Sequence, residues 1–111
     1  MELETDELAA GTARVVCRGR FNMSAAPAFR RHLDDVVSGG SSRVVVDLGE
    51  VSFVDSSGLG ALVAGLKRAR QAGGDLRIAR PSEQVLLVLG LTNLDRVLRP
   101  YDDVGSAIRG W

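Results

Sequence analysis

The chain has 111 residues, 45% of them hydrophobic, which is the length of one ordinary domain with enough apolar material for a single compact core. Its 14 Lys+Arg balance 14 Asp+Glu to a formal net charge of zero, and this argues against a surface built to neutralise a phosphate backbone. One cysteine, Cys17, and one histidine, His32, cannot make an internal disulfide and fall short of a His/Cys metal site, so neither a metal nor a cofactor is expected.

Residues 2–8 loosely alternate polar and apolar side chains, and residues 13–19 are rich in β-formers. With Gly11 between them they predict an N-terminal hairpin. Ser24 is a favoured N-cap and Pro27 suits the first turn of a helix. Phe29, Leu33, Val36 and Val37 then recur at helical spacing, while Arg30, Arg31, Asp34 and Asp35 take the other face. Gly39 and Gly40 end that helix. Three successive valines in residues 43–48 predict a strand buried on both faces and central in its sheet. Residues 51–54 are expected to lead the chain back toward a turn.

A second helix is expected to start between Asp55 and Ser57, with Leu59, Leu62, Val63 and Leu66 facing the core and Lys67, Arg68 and Arg70 at its C-terminal end, where cations suit the dipole. Gly73 and Gly74 stop it. Residues 75–80 alternate as a strand. Pro81, Ser82 and Glu83 open a third helix that runs to about Leu89, with Gly90 as its C-cap. Residues 85–89 are apolar throughout, so Leu86 or Leu87 must face outward, either as scattered surface leucines or as a self-association or partner patch. Val97 and Leu98 are assigned to a last short strand ended by Pro100, and residues 102–109 to a terminal helix with acids in its first turn. The alternation predicts one α/β domain over residues 1–111, a mixed sheet with about four helices.

Lys67 is the only lysine, and no Gly-Lys-Ser/Thr occurs, so a P-loop is absent. Glu2, Glu4, Asp6 and Glu7 are unlike a basic signal-peptide start, and no apolar run approaches the roughly 20 residues of a membrane span. The expectation is a cytoplasmic protein that contacts neither membrane nor nucleic acid. Cys17 reads as a small core residue, His32 as a boundary residue and Asp47 as a turn or cap residue. Arg14, Arg18, Arg20, Arg30 and Arg31 read as a solvated face, or as the counterpart of an acidic partner or of the acidic N-terminus.

The most informative stretch is residues 47–60. A buried strand leads through a short turn to Asp55, Ser56 and Ser57 at the start of a helix punctuated by Gly58 and Gly60. Helix N-termini expose unpaired N–H groups and favour negative charge, so a serine there caps the helix, binds an anion or accepts a phosphate. An enzyme using Ser56 as nucleophile is disfavoured, because Gly-x-Ser-x-Gly is absent and the one histidine lies on another helix. A receiver-like domain phosphorylated on Asp47 or Asp55 needs clustered acids, and these are scattered.

Asp47-Leu48 followed by Phe53-Val54-Asp55-Ser56-Ser57-Gly58-Leu59-Gly60 resembles the core pattern of the STAS domain of bacterial anti-sigma factor antagonists, the SpoIIAA-like family. The resemblance continues through the Gly73-Gly74 break, the strand at residues 76–79 and residues 90–97. It implies a non-enzymatic regulator that binds an anti-sigma factor, a Ser/Thr kinase with a GHKL-type ATPase fold. Ser56 would be the phosphoacceptor, and a PP2C-type phosphatase would restore the unmodified form. Partner contact would fall on Asp55, Ser56, Ser57, Gly58, Leu59 and Gly60, with Asn22, and Gly58 and Gly60 would leave room for another backbone or a nucleotide to approach Ser56. Many members carry an acid where this chain has the neutral Asn22, which points to a different partner or to a STAS scaffold module that is never phosphorylated.

Overall fold

The computed structural model describes all of residues 1–111. In chain order it forms β1 (Glu2–Ala9), β2 (Thr12–Phe21), α1 (Ala26–Ser38), β3 (Arg43–Val54), α2 (Ser56–Gln71), β4 (Asp75–Ala79), α3 (Glu83–Leu91), a 3-10 turn (Leu94–Arg96), β5 (Pro100–Tyr101) and α4 (Val104–Ile108). This is the expected order of elements. The five strands lie in the order β1-β2-β3-β4-β5. The first pair is antiparallel and the other three pairs are parallel, so the sheet is mixed. The hairpin turns at Gly11, whose φ of 80° suits a residue without a Cβ.

Successive side chains of a strand face opposite sides, and β3 uses both. Val44, Val46 and Leu48 join Val15, Cys17 and Ile78 in the main core, which Phe29, Leu33, Leu62, Leu66, Val85 and Leu89 of α1, α2 and α3 complete. Val45 points the other way, into a small cluster with Ala79 and Ala107 that α4, Tyr101 and Trp111 cover. The three-valine reading therefore holds: β3 is the central strand and is buried on both faces. Cys17 is fully buried, and loss of water pushes its thiol up to about 12, with the negative charge of Asp47 adding to the shift.

Beyond α4 the second face of the sheet is covered by ion pairs. Arg14 meets Asp6, and Arg18 bonds Glu4 and Glu50, each at 2.9 Å. Glu4 and Asp6 of β1 are thus paired with arginines of β2, so for Arg14 and Arg18 the reading that involved the acidic N-terminus holds. At the C-terminal end, Arg77 donates to the carbonyls of Ala107 (2.7 Å) and Arg109 (3.3 Å), and its guanidinium stacks 4.3 Å from the centroid of Trp111. Asp103 caps α4 by accepting the Ser106 N–H, which holds its carboxyl below the usual value.

Four local expectations are corrected. Ser24 does not cap α1. The Asn22 side chain takes the N–H groups of Ser24 and Ala25, its carbonyl takes those of Ala25 and Ala26, and the helix starts from Ala25 with no side-chain cap. Residues 51–54 do not leave the sheet. A shift in register between Val16 and Arg18 takes up one extra residue of β3, pairing resumes at Arg18↔Glu50 and Gly19↔Val51, and a second shift takes up Ser52 before Arg20↔Phe53 and Phe21↔Val54. Gly90 lies inside α3, which Thr92 closes by donating its hydroxyl to the Val88 carbonyl at 2.8 Å. Val97 and Leu98 are not a strand. Asn93 adopts a left-handed conformation that starts the 3-10 turn, and the Leu98 N–H bonds back to Leu94. The strand comes two residues later, and Pro100 opens it at the sheet edge, where its missing N–H is tolerated. The outward turn of α3 is as expected: Leu86 is 43% and Leu87 62% exposed, and Leu91 76%.

No helix is long and apolar enough to cross a membrane. Two measurements test this packing. Cys17 is expected to resist iodoacetamide at neutral pH in the folded chain and to react on unfolding in urea. Equal labelling rates in the two states, read by mass spectrometry, would contradict its burial. Arg77→Ala is expected to lower urea stability by about 1–2 kcal/mol and to shift the emission of Trp111, the only tryptophan, to longer wavelength.

Candidate functional site

The edge where β2 and β3 end and α1 and α2 begin is built around Asp55. Phe21 and Val54 are the last paired residues of their strands, and the Asp55 N–H donates to the Phe21 carbonyl at 3.2 Å. The chain then turns into α2 with Asp55 at the N-cap. Oδ1 accepts the Gly58 N–H at 2.8 Å, as a capping aspartate does, and Oδ2 accepts the Met23 N–H of the β2–α1 loop at 3.1 Å. One carboxylate thus caps its own helix and ties it to the neighbouring loop.

Gly58 makes that closeness possible. A Cβ there would overlap the Phe21 carbonyl oxygen, the Phe21 ring and the Val54 side chain. From the other side Gln84, in the first turn of α3, brackets the peptide before Asp55. Its Oε1 accepts the Val54 N–H and its Nε2 donates to the Val54 carbonyl, both at 3.0 Å. The turn presenting Ser56 is therefore held by β2, by the β2–α1 loop and by α3.

Ser56 is exposed and Ser57 half-buried, and neither hydroxyl is engaged within the chain. The helix is capped by Asp55, so the capping role open to these serines in the sequence falls to their neighbour. Asp55, Gly60 and Asn22 are half-buried. Asn22 lies in the same loop as Met23, with its side-chain oxygen engaged by Ser24 and Ala25.

Two expected contact residues face inward. Leu59 is 4% exposed and belongs to the main core. Gly58 is buried, and the room left by its missing side chain is filled from within by Phe21 rather than left open to a partner. Two residues at the site were not singled out in the sequence. Met23 is 72% exposed with its backbone held by Asp55. Its signal was an apolar side chain in a short loop between a strand and a helix. Gln84 had no signal, because nothing in a helix start reveals a carboxamide aimed at a distant strand end. No group of three or more His, Cys, Asp or Glu converges anywhere on the fold.

This geometry gives an uncapped hydroxyl at the positive end of a 16-residue helix, beside an exposed methionine, on a turn fixed from three sides. The model of the STAS domain matches residues 8–107. The chain belongs to the STAS domain family. It is similar to a Thermotoga maritima protein assigned as an anti-sigma factor antagonist, with 34% identity over 88 residues, 78% of each chain. It is also similar to the anti-sigma-B factor antagonist of Bacillus subtilis, with 29% identity over 80 residues, 72% of each chain. Among solved structures, a crystal structure of a Thermotoga maritima protein assigned to the same class superposes with a TM-score of 0.87. That match has 28% identity and covers 96% of this chain and 91% of the other. The STAS fold and the relationship to anti-sigma factor antagonists agree with the resemblance carried by residues 47–60.

The two glycines of the α2 first turns separate by a simple substitution. Gly58→Ala is expected to cost about 1–3 kcal/mol, because its methyl meets a backbone carbonyl that cannot move away. Gly60→Ala is expected to be neutral or stabilising, because the nearest atom to its methyl is an Arg30 guanidinium nitrogen at 3.7 Å and alanine favours a helix interior. Urea unfolding of both variants reads the difference in sign.

Proposed function

We propose that this STAS domain is an anti-sigma factor antagonist that docks an anti-sigma factor through the first turn of α2 and the β2–α1 loop, and is switched off by phosphorylation of Ser56. The observation that carries this reading is the Ser56 hydroxyl: exposed, free of any bond within the chain, and released from capping by Asp55. The relatives named as antagonists support the class of partner. In this reading the chain is a substrate, and ATP and the catalytic groups lie on a GHKL-type kinase partner. The Ser56 oxygen forms a bond to the γ-phosphorus, the bond to the β–γ bridging oxygen breaks, ADP leaves and the hydroxyl proton passes to a base of the kinase. Asp55, Ser57 and Gly60 border the acceptor, and Met23 supplies an apolar anchor beside it.

The physics of the switch is local. A phosphate adds about −1.5 to −2 charges and is tolerated at a helix N-terminus, so the domain stays folded. The same charge inside a desolvated contact next to Asp55 opposes docking. A PP2C-type phosphatase would then return the chain to its binding form. The neutral Asn22 favours a partner less basic at that position, since its carboxamide completes the turn as an aspartate would but brings no charge.

Intact mass after incubation with a candidate kinase partner and ATP tests the assignment. One added phosphate is expected on the native chain and none on Ser56→Ala. Phosphate retained in Ser56→Ala would move the acceptor to another residue. Stable binding to partners with no transfer from any kinase would replace this reading with that of an unphosphorylated scaffold module.

A further inference from the structure

Arg30 occupies an unusual position on α1. Its natural helical partner is Asp34, four residues on, but Asp34 is taken by Arg68 of α2 at 2.7 Å, and Arg68 also donates to Ser38 at 3.1 Å. Arg30 is exposed and makes no ion pair. Together with Leu33, Asp34, Ala64, Gly65 and Arg68 it lines the groove between α1 and α2, the one cavity of the fold. Its guanidinium reaches out of that groove toward Gly60, lying 3.7 Å from where a Cβ would stand.

Gly60 is one helical turn after Ser56, on the same face of α2, and side-chain positions four apart on a helix are separated by about 5–6 Å. A phosphate on the Ser56 oxygen extends from that position, and the long, flexible arginine side chain closes the remaining gap. Glycine at position 60 leaves the path between them clear. Asp55, the adjacent carboxylate, has both oxygens engaged by backbone N–H groups. Arg20, at the end of β2, lies 4.4 Å over the Phe53 ring. Glu83 lies in the first turn of α3, and of the acids on α1 Asp34 is paired with Arg68 while Asp35 lies one residue further along the helix.

We infer that Arg30 is the residue that receives the phosphate when Ser56 carries it, so that α1 and α2 are bridged across Gly60 only in the modified form. The inference rests on the reading of Ser56 as acceptor. It assigns to this chain an internal reader of the modification, separate from any residue of the partner. A bridged phosphate is partly neutralised and drawn toward the groove. The modified surface then differs from the unmodified one by the position of Arg30 as well as by the added charge.

The test uses the full chain with phosphoserine placed at position 56 during translation, so it does not depend on any kinase. Phosphorus NMR reads the second ionisation of the phosphate, which lies near pH 6 when unperturbed. With Arg30 present it is expected to fall roughly half a pKa unit below its value in Arg30→Gln, the size of an exposed charge pair. Arg30→Lys is expected to recover part of the shift, and high salt to remove most of it. The Arg30 Nε–H resonance is expected to move between the serine and phosphoserine chains. Identical titrations in the native and Arg30→Gln chains, with an unmoved Nε–H, would overturn the inference. Failure of kinases to modify Ser56 would overturn the proposed function and leave this measurement unchanged.

Discussion

The Asp55 carboxylate is the interaction on which the site depends. It joins segments 32 residues apart in sequence, accepting the Met23 N–H from one and the Gly58 N–H from the other. Hydrogen bonds to an ionised acceptor are stronger than neutral ones, about 1.5–3 kcal/mol each. An unpaired helix N–H in a half-buried turn would carry a comparable penalty. With Asp55 filling the cap, the following serine has no structural duty. The exposure of Ser56 is therefore a consequence of what its neighbour does: a serine at the cap itself would have its hydroxyl turned inward and occupied.

The turn gains its rigidity from the main chain rather than from large side chains. The Phe21 carbonyl accepts the Asp55 N–H, and the Gln84 carboxamide completes both hydrogen-bonding positions of Val54, so the peptides flanking Asp55 have partners from β2 and α3. Gly58 lets these layers approach within contact of one another. An exposed hydroxyl on a fixed turn suits recognition by a partner that must find the same geometry each time. With the backbone held from three sides, the phosphate proposed at Ser56 would be met by side chains at the surface rather than by a shift of the turn.

Much of this was legible in the sequence, for reasons that differ from element to element. Phe29, Leu33 and Val37 at helical spacing, and three valines on β3, report burial directly, because the period of the apolar residues is the period of the element. The order of strands and helices followed from these runs. The motif at residues 55–60 marked the strand-to-helix turn, because Asp, Ser and Gly are favoured where a helix begins. What failed depended on partners distant in the chain. Ser24 looked like a cap, but Asn22, two residues earlier, had already taken the local N–H groups. Val97 and Leu98 have strand propensity, yet the 3-10 turn that follows the left-handed Asn93 leaves them in a turn and a bend and delays β5 to Pro100. Gly58 suggested open space because a missing side chain looks the same in sequence whether the gap faces solvent or a neighbouring carbonyl.

The arrangement of charges ties the neutral composition to the site. On the face of the sheet away from α1, α2 and α3, Arg14, Arg18 and Arg80 are matched with Asp6, Glu4, Glu50 and the buried Asp47. On the helical side Arg68 is matched with Asp34. Charges paired at such short range project little field beyond a Debye length, about 8–10 Å in physiological salt. The first turn of α2 exposes Ser56, the neighbouring β2–α1 loop exposes Met23, and the Asp55 carboxylate is held by two N–H donors. A phosphate there would be the largest unpaired charge on this end of the molecule, with the exposed Arg30, whose guanidinium approaches Gly60, placed to oppose it. The chain as a whole carries no net charge, so the phosphate proposed at Ser56 would change its overall charge as well as the field at one helix end.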